Sequence, residues 1–159
     1  MRWTILLLPL LVGCADTIDA VDYEHTRDYD RYTVDLDVGN VSIDAANGRG
    51  STRAVVQYDG EQPTIRVEVV DRVLQIEGVC GERITDCFVD FFVDAQEVAP
   101  GIITVGSGTV NLDGLGGDTN VTLGAGTLRG DALHIGLMIA DVGGDVELAF
   151  ESGASQLDI

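Results

Sequence analysis

The 159-residue sequence contains no lysine, and it has only two histidines, three prolines and three cysteines. Arginine supplies all of the nine basic residues against 27 acidic ones, so the formal net charge is −18 at pH 7. Nucleic-acid binding depends on Lys and Arg side chains that neutralise phosphates, and this charge balance therefore argues against a nucleic-acid partner. The acidity is instead typical of a soluble surface, with recruitment of divalent cations as the alternative.

The scarcity of histidine also limits the chemistry that the chain can perform. Nucleophilic catalysis usually needs a base such as histidine beside the nucleophile. His25 lies in an acidic N-terminal segment, and His134 alternates with apolar residues in "ALHIGL", which predicts an outward-facing surface side chain. Ser107 lies between two glycines but lacks the strand-to-helix context of a nucleophile elbow. We predict a non-enzyme with no catalytic residue and no cofactor, although the many carboxylates leave a glycosidase-like pair open.

Long apolar runs are also few, and the clearest lies at the N-terminus, from Trp3 to Val12. Ten residues span about 15 Å as a helix, which is about half of a bilayer core and is typical of a signal-peptide segment. The run ends in Leu11-Val12-Gly13-Cys14, which resembles the bacterial lipobox. That resemblance implies cleavage after residue 13 and lipidation of Cys14, and an ordinary secretory signal is the alternative.

The lipobox resemblance divides the chain into three parts. Residues 1–13 are a lipoprotein signal peptide, residues 14–31 an acidic lipidated tether, and residues 32–159 the folded domain. Two or more acyl chains give stable anchoring, so we expect a membrane-bound protein that spans nothing. Ala15, not an aspartate, follows the cysteine. In Gram-negative lipoproteins an aspartate directly after the lipidated cysteine tends to mark retention in the inner membrane. The resemblance therefore implies, in a Gram-negative host, the outer membrane of the cell envelope.

Assigning Cys14 to lipid leaves Cys80 and Cys87 as a pair. Disulfides persist outside the cytoplasm, where a lipoprotein would lie. The spacing of "CGERITDC" is too wide for a CxxC site, and no nearby histidine completes a zinc ligand set. We predict a structural disulfide and no metal site.

Period-two alternation predicts several strands from Tyr32 onward. Val34, Leu36 and Val38 alternate with acids before a predicted turn at Gly39-Asn40. Further strands are predicted in "VSIDA", "TIRVEVV", "VLQIEG" and "CFVDFFVDA", with a turn at Asp71-Arg72. The last of these strands carries phenylalanines on its second face, which predicts cover by the domain on both sides, with a partner-binding patch as the alternative. Helical spacing is almost absent, so the predicted fold class is all-β.

The second half of the sequence repeats short phrases between glycines. Gly106-Ser107-Gly108-Thr109 returns eighteen residues later as Gly-Ala-Gly-Thr, and Leu-Gly-Gly-Asp at 115–118 returns as Val-Gly-Gly-Asp at 142–145. Repeats of this kind indicate units that bury their apolar faces against neighbours. The pairs Val110/Leu112, Val121/Leu123 and Val146/Leu148 are too closely spaced for helical repeats. They predict a β-solenoid of short strands with glycine at the corners.

These phrases, together with "VGNVSI" and "VDFFVDAQEVAPG", resemble the bacterial adhesin-like β-strand repeat family, a domain of unknown function related to the head-GIN adhesin domains. The resemblance covers roughly residues 32–159 and implies an adhesive or structural surface protein. We therefore expect an unidentified protein or polysaccharide partner, besides the membrane reached through the lipid anchor. A periplasmic scaffold or stress-signalling module is the alternative. The Gly-Gly-Asp phrases depart from the calcium-binding nonapeptide, and turn formation explains them without an ion.

Overall fold

A computed structural model describes residues 17–25, 28–46, 50–81, 85–134, 136–151 and 156–159, and all of their helix or strand structure is β-strand. The all-β prediction is therefore confirmed for this part of the chain. The signal peptide predicted at residues 1–13 and the lipidation site Cys14 lie outside the described residues. The strands are β1 (Thr17–His25), β2 (Arg31–Ala45), β3 (Gly50–Asp59), β4 (Thr64–Val70), β5 (Val73–Val79), β6 (Thr85–Ala95), β7 (Gly101–Asp113), β8 (Thr119–Leu133), β9 (Leu137–Phe150) and β10 (Gln156–Asp158).

The strands form one mixed sheet. Its order is β1-β3-β6-β2-β7-β8-β9-β10, while β5 pairs with β2 beside β6, and β4 pairs with β5. In the run β2-β7-β8-β9-β10 of the sheet, each strand is parallel to its neighbours, and β2 is also parallel to β5 and β6. The pairs β1–β3, β3–β6 and β4–β5 are antiparallel. The sheet therefore has a parallel half built from long strands and an antiparallel half at its other end.

The register of the parallel half follows the sequence repeat. β8 lies beside β7 with a constant offset of eighteen residues, so that Ser107 pairs with Ala125 and Gly108 with Gly126. The two Gly-x-Gly-Thr phrases therefore occupy equivalent positions on neighbouring strands, as predicted. They lie inside strands of 13 and 15 residues, however, and not at corners between short strands. The two Gly-Gly-Asp phrases do not, because Gly116 and Gly117 lie in the β7–β8 connection whereas Gly144 pairs with Gly126 inside β9. That second repeat is a likeness of composition only.

A column of glycines crosses the long parallel strands near their middles. It consists of Gly39, Gly108, Gly126 and Gly144, and each member pairs with the next. Gly108 has a φ of 149° and Gly126 a φ of 142°, values that residues with a side chain rarely adopt. An added Cβ at Gly108 would overlap the carbonyl oxygen of Gly39. The backbones approach too closely here for any side chain, so glycine is required on both grounds.

Gly39 belongs to this column, and the turn predicted at Gly39-Asn40 is wrong. β2 continues through both residues, and Gly39 has a φ of 142° within the strand. The turn predicted at Asp71-Arg72 is confirmed, since both residues have positive φ and link β4 to β5. A glycine that reverses a hairpin and a glycine that bends a strand both require φ > 0, and the sequence alone does not separate the two cases.

The core is a set of aliphatic columns that run across the parallel strands. Alternate side chains point to one face, so one residue from each strand contributes to each column. Val41, Val110 and Leu128 form one such column, and all three are fully buried. Further buried columns include Val34, Ile103, Val121 and Ala140, and Leu36, Val105 and Leu123. Val34 and Leu36, predicted to point inward, are core positions, but Val38, predicted with them, is exposed. The alternation shifts by one residue at Asp37 and Val38, directly before Gly39.

Residues 14–31 were predicted to be a tether, but the structure places Thr17–His25 in β1, at the edge of the sheet. Most side chains of β1 are exposed, so the strand lacks the apolar alternation that would identify it. Its contacts with β3 hold it: the Tyr58 hydroxyl donates to Asp19 at 3.0 Å, and His25 Nε2 lies 3.1 Å from the Thr52 hydroxyl. The sheet therefore begins upstream of the predicted boundary at residue 32.

Candidate contact surface

The predicted disulfide is present. Cys80 and Cys87 are bonded, with their Cα atoms 5.9 Å apart. The bond closes the segment between β5 and β6, and the Cys80 amide donates to Asp37 of β2 at 3.0 Å. This anchors the closed loop to the strand against which both β5 and β6 pack. Cys14, the other predicted site residue, lies outside the described part of the chain.

A polar surface lies on the outward side of five neighbouring parallel strands, β6, β2, β7, β8 and β9. In the last four of these strands it covers the residues that follow the glycine column. We call it the distal face. Strand pairing aligns its side chains in rows that run across the strands. The first row is Asp90, Asn40, Thr109, Thr127 and Asp145; the second is Phe92, Ser42, Asn111, Arg129 and Glu147; the third is Asp94, Asp44, Asp113 and Asp131.

Phe92 is the aromatic residue of this face, and its side chain is 47% exposed. The prediction that this side of β6 is covered by the domain is therefore wrong at Phe92. A groove of about 260 Å³ lies beside the ring and is lined by Asn40, Ser42, Asn111 and other residues of the first two rows. Since Asn40 Oδ1 accepts from the Thr109 amide at 3.0 Å, the Asn40 side chain is held in place. The groove thus combines an aromatic wall with a polar floor.

A second groove, of about 400 Å³, continues across β8 and β9. It shares Asn111 with the first groove and is lined by Arg129, Asp131 and Glu147 among others. The two grooves together extend over five strands, which is roughly 19 Å at about 4.8 Å per strand. A trough of this length fits an extended polymer better than a compact small molecule.

The third row places four carboxylates on adjacent strands. Partial burial raises the pKa of Asp44, and its neighbours Asp113 and Asp94 raise it further. Asp94 accepts a hydrogen bond from the Ser51 hydroxyl. Among the described residues there is no group of three or more histidines, cysteines or acids placed to hold a metal ion. The row therefore gives the distal face a negative border.

The two histidines lie in different settings. His25 contacts the hydroxyl of Thr52, which is fully buried. His134 is exposed, as predicted, and its Nε2 lies 3.2 Å from a Glu151 carboxylate oxygen. An imidazole that faces a carboxylate at the surface is an ordinary ion-pair partner when it is protonated.

The described residues include no helix of sufficient length and apolarity to cross a bilayer.

No protein-family model and no curated protein matches this chain. Solved structures do match at low identity. They include a "putative cell adhesion protein" from Clostridium sporogenes, with 11% identity, a TM-score of 0.46, and coverage of 90% of this chain and 99% of that one. A "putative lipid binding protein" from Parabacteroides distasonis matches with 12% identity, a TM-score of 0.47, and coverage of 84% and 66%. A "putative adhesin" from the same species matches with 16% identity, a TM-score of 0.40, and coverage of 91% and 78%.

Proposed function

We propose that this protein is a lipid-anchored component of a bacterial cell envelope, in which a non-catalytic β-solenoid presents the distal face to a protein or polysaccharide. The observation that carries the proposal is the distal face itself, a trough across five strands with exposed Phe92 at one end. An exposed aromatic ring supplies contact area, and rows of hydroxyl, amide and carboxylate groups supply adaptable hydrogen bonds.

Chain geometry supports the solenoid part of the proposal. From Gly101 to Asp113, a straight strand would extend about 40 Å at roughly 3.3 Å per residue. The connection from Asp113 to Thr119 has six steps and reaches at most about 22 Å. Thr119 nevertheless pairs directly with Gly101. β7 must therefore bend so that its ends approach each other, and the glycine column lies where the bend is needed.

The same arithmetic indicates a coil. One strand and one connection together take eighteen residues, and the next strand then begins beside the start of the previous one. A chain that returns to its starting point one strand spacing further along has completed one turn of a solenoid. The aliphatic columns lie within such turns, and the distal face is one of their flat outer sides.

The lipid anchor is proposed from the lipobox-like residues that end in Cys14. A disulfide between Cys80 and Cys87 fits an oxidising compartment outside the cytoplasm, which is where a lipoprotein domain would lie. Replacing Cys14 by serine removes the acylated thiol, and we expect the protein to move from the membrane fraction to the soluble fraction. Retention of Cys14→Ser in the membrane fraction would show that the anchor is wrong.

Protease treatment of intact cells tests surface presentation. An adhesive surface protein should be released or degraded, whereas a periplasmic scaffold should survive until the outer membrane is opened.

A Phe92→Ala variant tests the contact face: we expect binding to whole cells or envelope polymers to weaken at least tenfold while the fold is retained. Ile18→Ala is the matched control, since Ile18 is a 65% exposed apolar side chain on β1, away from this face. Equal binding by wild type and Phe92→Ala would reject the distal face as the site.

A further inference from the structure

The outer edge of β9 is the end of the parallel half of the sheet. β8 covers one side of β9 over most of its length, but on the other side β10 pairs only with Leu137–Ile139. Among the described residues, no strand pairs with Ala140–Phe150 on that side. An unpaired edge of this length presents free N–H and C=O groups, which can template the addition of another strand.

The side chains of β9 show that the core is also incomplete at this edge. Val146 continues the column of Val41, Val110 and Leu128, yet it is only partly buried while those three are fully buried. Val142, Leu148 and Phe150 are partly buried in the same way. Repeat proteins cover the last unit of such a stack with a cap, because its apolar face otherwise meets water. The described residues supply no such cap beyond residue 139.

The charge of β9 indicates what kind of strand fits there. Its ionisable side chains are Asp141, Asp145 and Glu147, and the strand has no basic residue. Glu147 lies 4.0 Å from Arg129 of β8, a weak exposed pair that leaves the opposite side of its carboxylate to solvent. A residue on an added strand would lie beside each of these acids, and opposite charges at such positions are stabilising whereas like charges are destabilising.

A second copy of this chain does not meet that requirement. Pairing β9 with another β9 would bring acids together, and the edge strand β1 is also acidic, with Asp19, Asp22 and Glu24. The edge strand β4 has a single arginine, Arg66, which already forms ion pairs with Glu68 and Glu77. The net charge of −18 opposes self-association in general.

We propose that the Ala140–Phe150 edge of β9 accepts an extended segment of another protein in which basic and aliphatic residues alternate. The aliphatic residues would continue the columns that end at Val146 and Leu148, and the basic residues would face Asp145 and Glu147. The recognition is by strand addition, with backbone hydrogen bonds giving affinity and the alternating side chains giving specificity. This inference does not depend on the lipid anchor or on Phe92, although Asp145 and Glu147 also belong to the distal face.

The test uses the full chain in neutral detergent and a labelled hexapeptide probe, Arg-Val-Arg-Val-Arg-Val with blocked ends, followed by fluorescence anisotropy. A second probe, Arg-Arg-Arg-Val-Val-Val, has the same composition and charge without the alternation. We expect the alternating peptide to bind at least tenfold more tightly. Glu147→Arg should weaken its binding at least tenfold, while Glu61→Arg, which makes the same change of charge in the β3–β4 connection, should leave binding within twofold.

Hydrogen exchange supplies a readout that does not depend on the variants. Bound alternating peptide should slow amide exchange within Asp145–Phe150 and leave the amides of β1 unchanged. Equal binding of the two peptides, or binding without protection of β9, would overturn the proposal. It would also be overturned if light scattering showed a dimer whose β9 amides are already protected without peptide.

Discussion

The strands pass the level of the glycine column in two different ways, once through a glycine and once through a longer segment that a disulfide closes. In β2, three steps lead from Leu36 to Gly39. The strands that pair with these residues on one side are β5 and β6, where Gly78 lies beside Leu36 and Val89 beside Gly39. β2 thus takes three residue steps from Leu36 to Gly39, whereas the chain takes eleven steps from Gly78 to Val89 beside it. The Cys80–Cys87 bond closes the additional residues.

The comparison shows that backbone freedom and covalent closure can solve the same geometric problem. In β7 and β8 the crossing is short because glycine permits both the required φ and the close approach of neighbouring backbones. From Gly78 of β5 to Val89 of β6 the chain instead uses eleven steps, and the disulfide holds the Cα atoms of Cys80 and Cys87 5.9 Å apart. The first solution depends on sterics alone, whereas the second depends on an oxidising environment.

The largest expected effect comes from adding a side chain within the glycine column. Gly108→Ala places a Cβ where the carbonyl oxygen of Gly39 lies, at a φ that L-residues rarely adopt. Since both obstacles are backbone, we expect a loss of at least about 3 kcal/mol in the free energy of unfolding, measured by urea denaturation.

Gly60→Ala is the matched control for that change. Gly60 has a φ of 99°, but no atom lies within 4 Å of an added Cβ. It therefore carries the conformational cost without the overlap, and we expect a loss of about 1 kcal/mol. If Gly108→Ala were no more destabilising than Gly60→Ala, close stacking of the glycine column would be refuted.

Opening the disulfide should have a smaller effect. The double variant Cys80→Ser/Cys87→Ser releases an eight-residue closed segment. The chain-entropy estimate is a loss of about 2.5 kcal/mol in unfolding free energy. Chemical denaturation with and without a reducing agent measures this loss. The reductant should destabilise the wild type to the level of the variant and leave the variant itself unchanged.

Neutralising one member of the carboxylate row should stabilise the protein slightly. The pKa of Asp44 is raised in the folded state by partial burial and then by Asp113 and Asp94, so its contribution to stability is present at low pH and lost as the pH rises through the folded pKa. Asp44→Asn cannot ionise, so the variant keeps the stability that the wild type loses when Asp44 becomes charged in the folded state. We expect a gain below about 1 kcal/mol at pH 7, because solvent screens a mostly exposed carboxylate.

The pH dependence identifies the cause of that gain. Thermal unfolding should show Asp44→Asn above the wild type at pH 7 and equal to it in acid, where both side chains are uncharged. An equal gain at both pH values would assign the effect to packing instead of charge.

The sequence predicted the parallel half of the fold better than the antiparallel half, for physical reasons. The eighteen-residue repeat fixes which residues of β7 and β8 are neighbours, and alternation fixes which of them point inward. β3 also alternates, with Ala54, Val56 and Tyr58 inward, and could have been predicted from that pattern. β1 could not, because an edge strand that is exposed on both faces needs no apolar stripe.

The distal face was beyond reach of the sequence because its rows join distant residues. Asn40 and Thr109 are 69 residues apart and meet only through the register of β2 with β7. The exposure of Phe92 likewise depends on what packs over β6, which the alternation within one strand does not report. The disulfide was predictable from cysteine count and spacing, but its position beside Leu36–Gly39 of β2 required the structure.

An engineered cross-link tests the stacking of the two Gly-x-Gly phrases most directly. Ser107 and Ala125 are exposed, paired positions on β7 and β8, where neighbouring strands lie about 4.8 Å apart, a separation that a disulfide spans. We predict that Ser107→Cys/Ala125→Cys oxidises to an intramolecular bond in the folded protein, found by peptide mapping, whereas Ser107→Cys/Thr122→Cys, three residues out of register, does not. Failure of the 107–125 pair to close in folded protein, or equal closure of both pairs, would contradict the eighteen-residue register of β7 and β8.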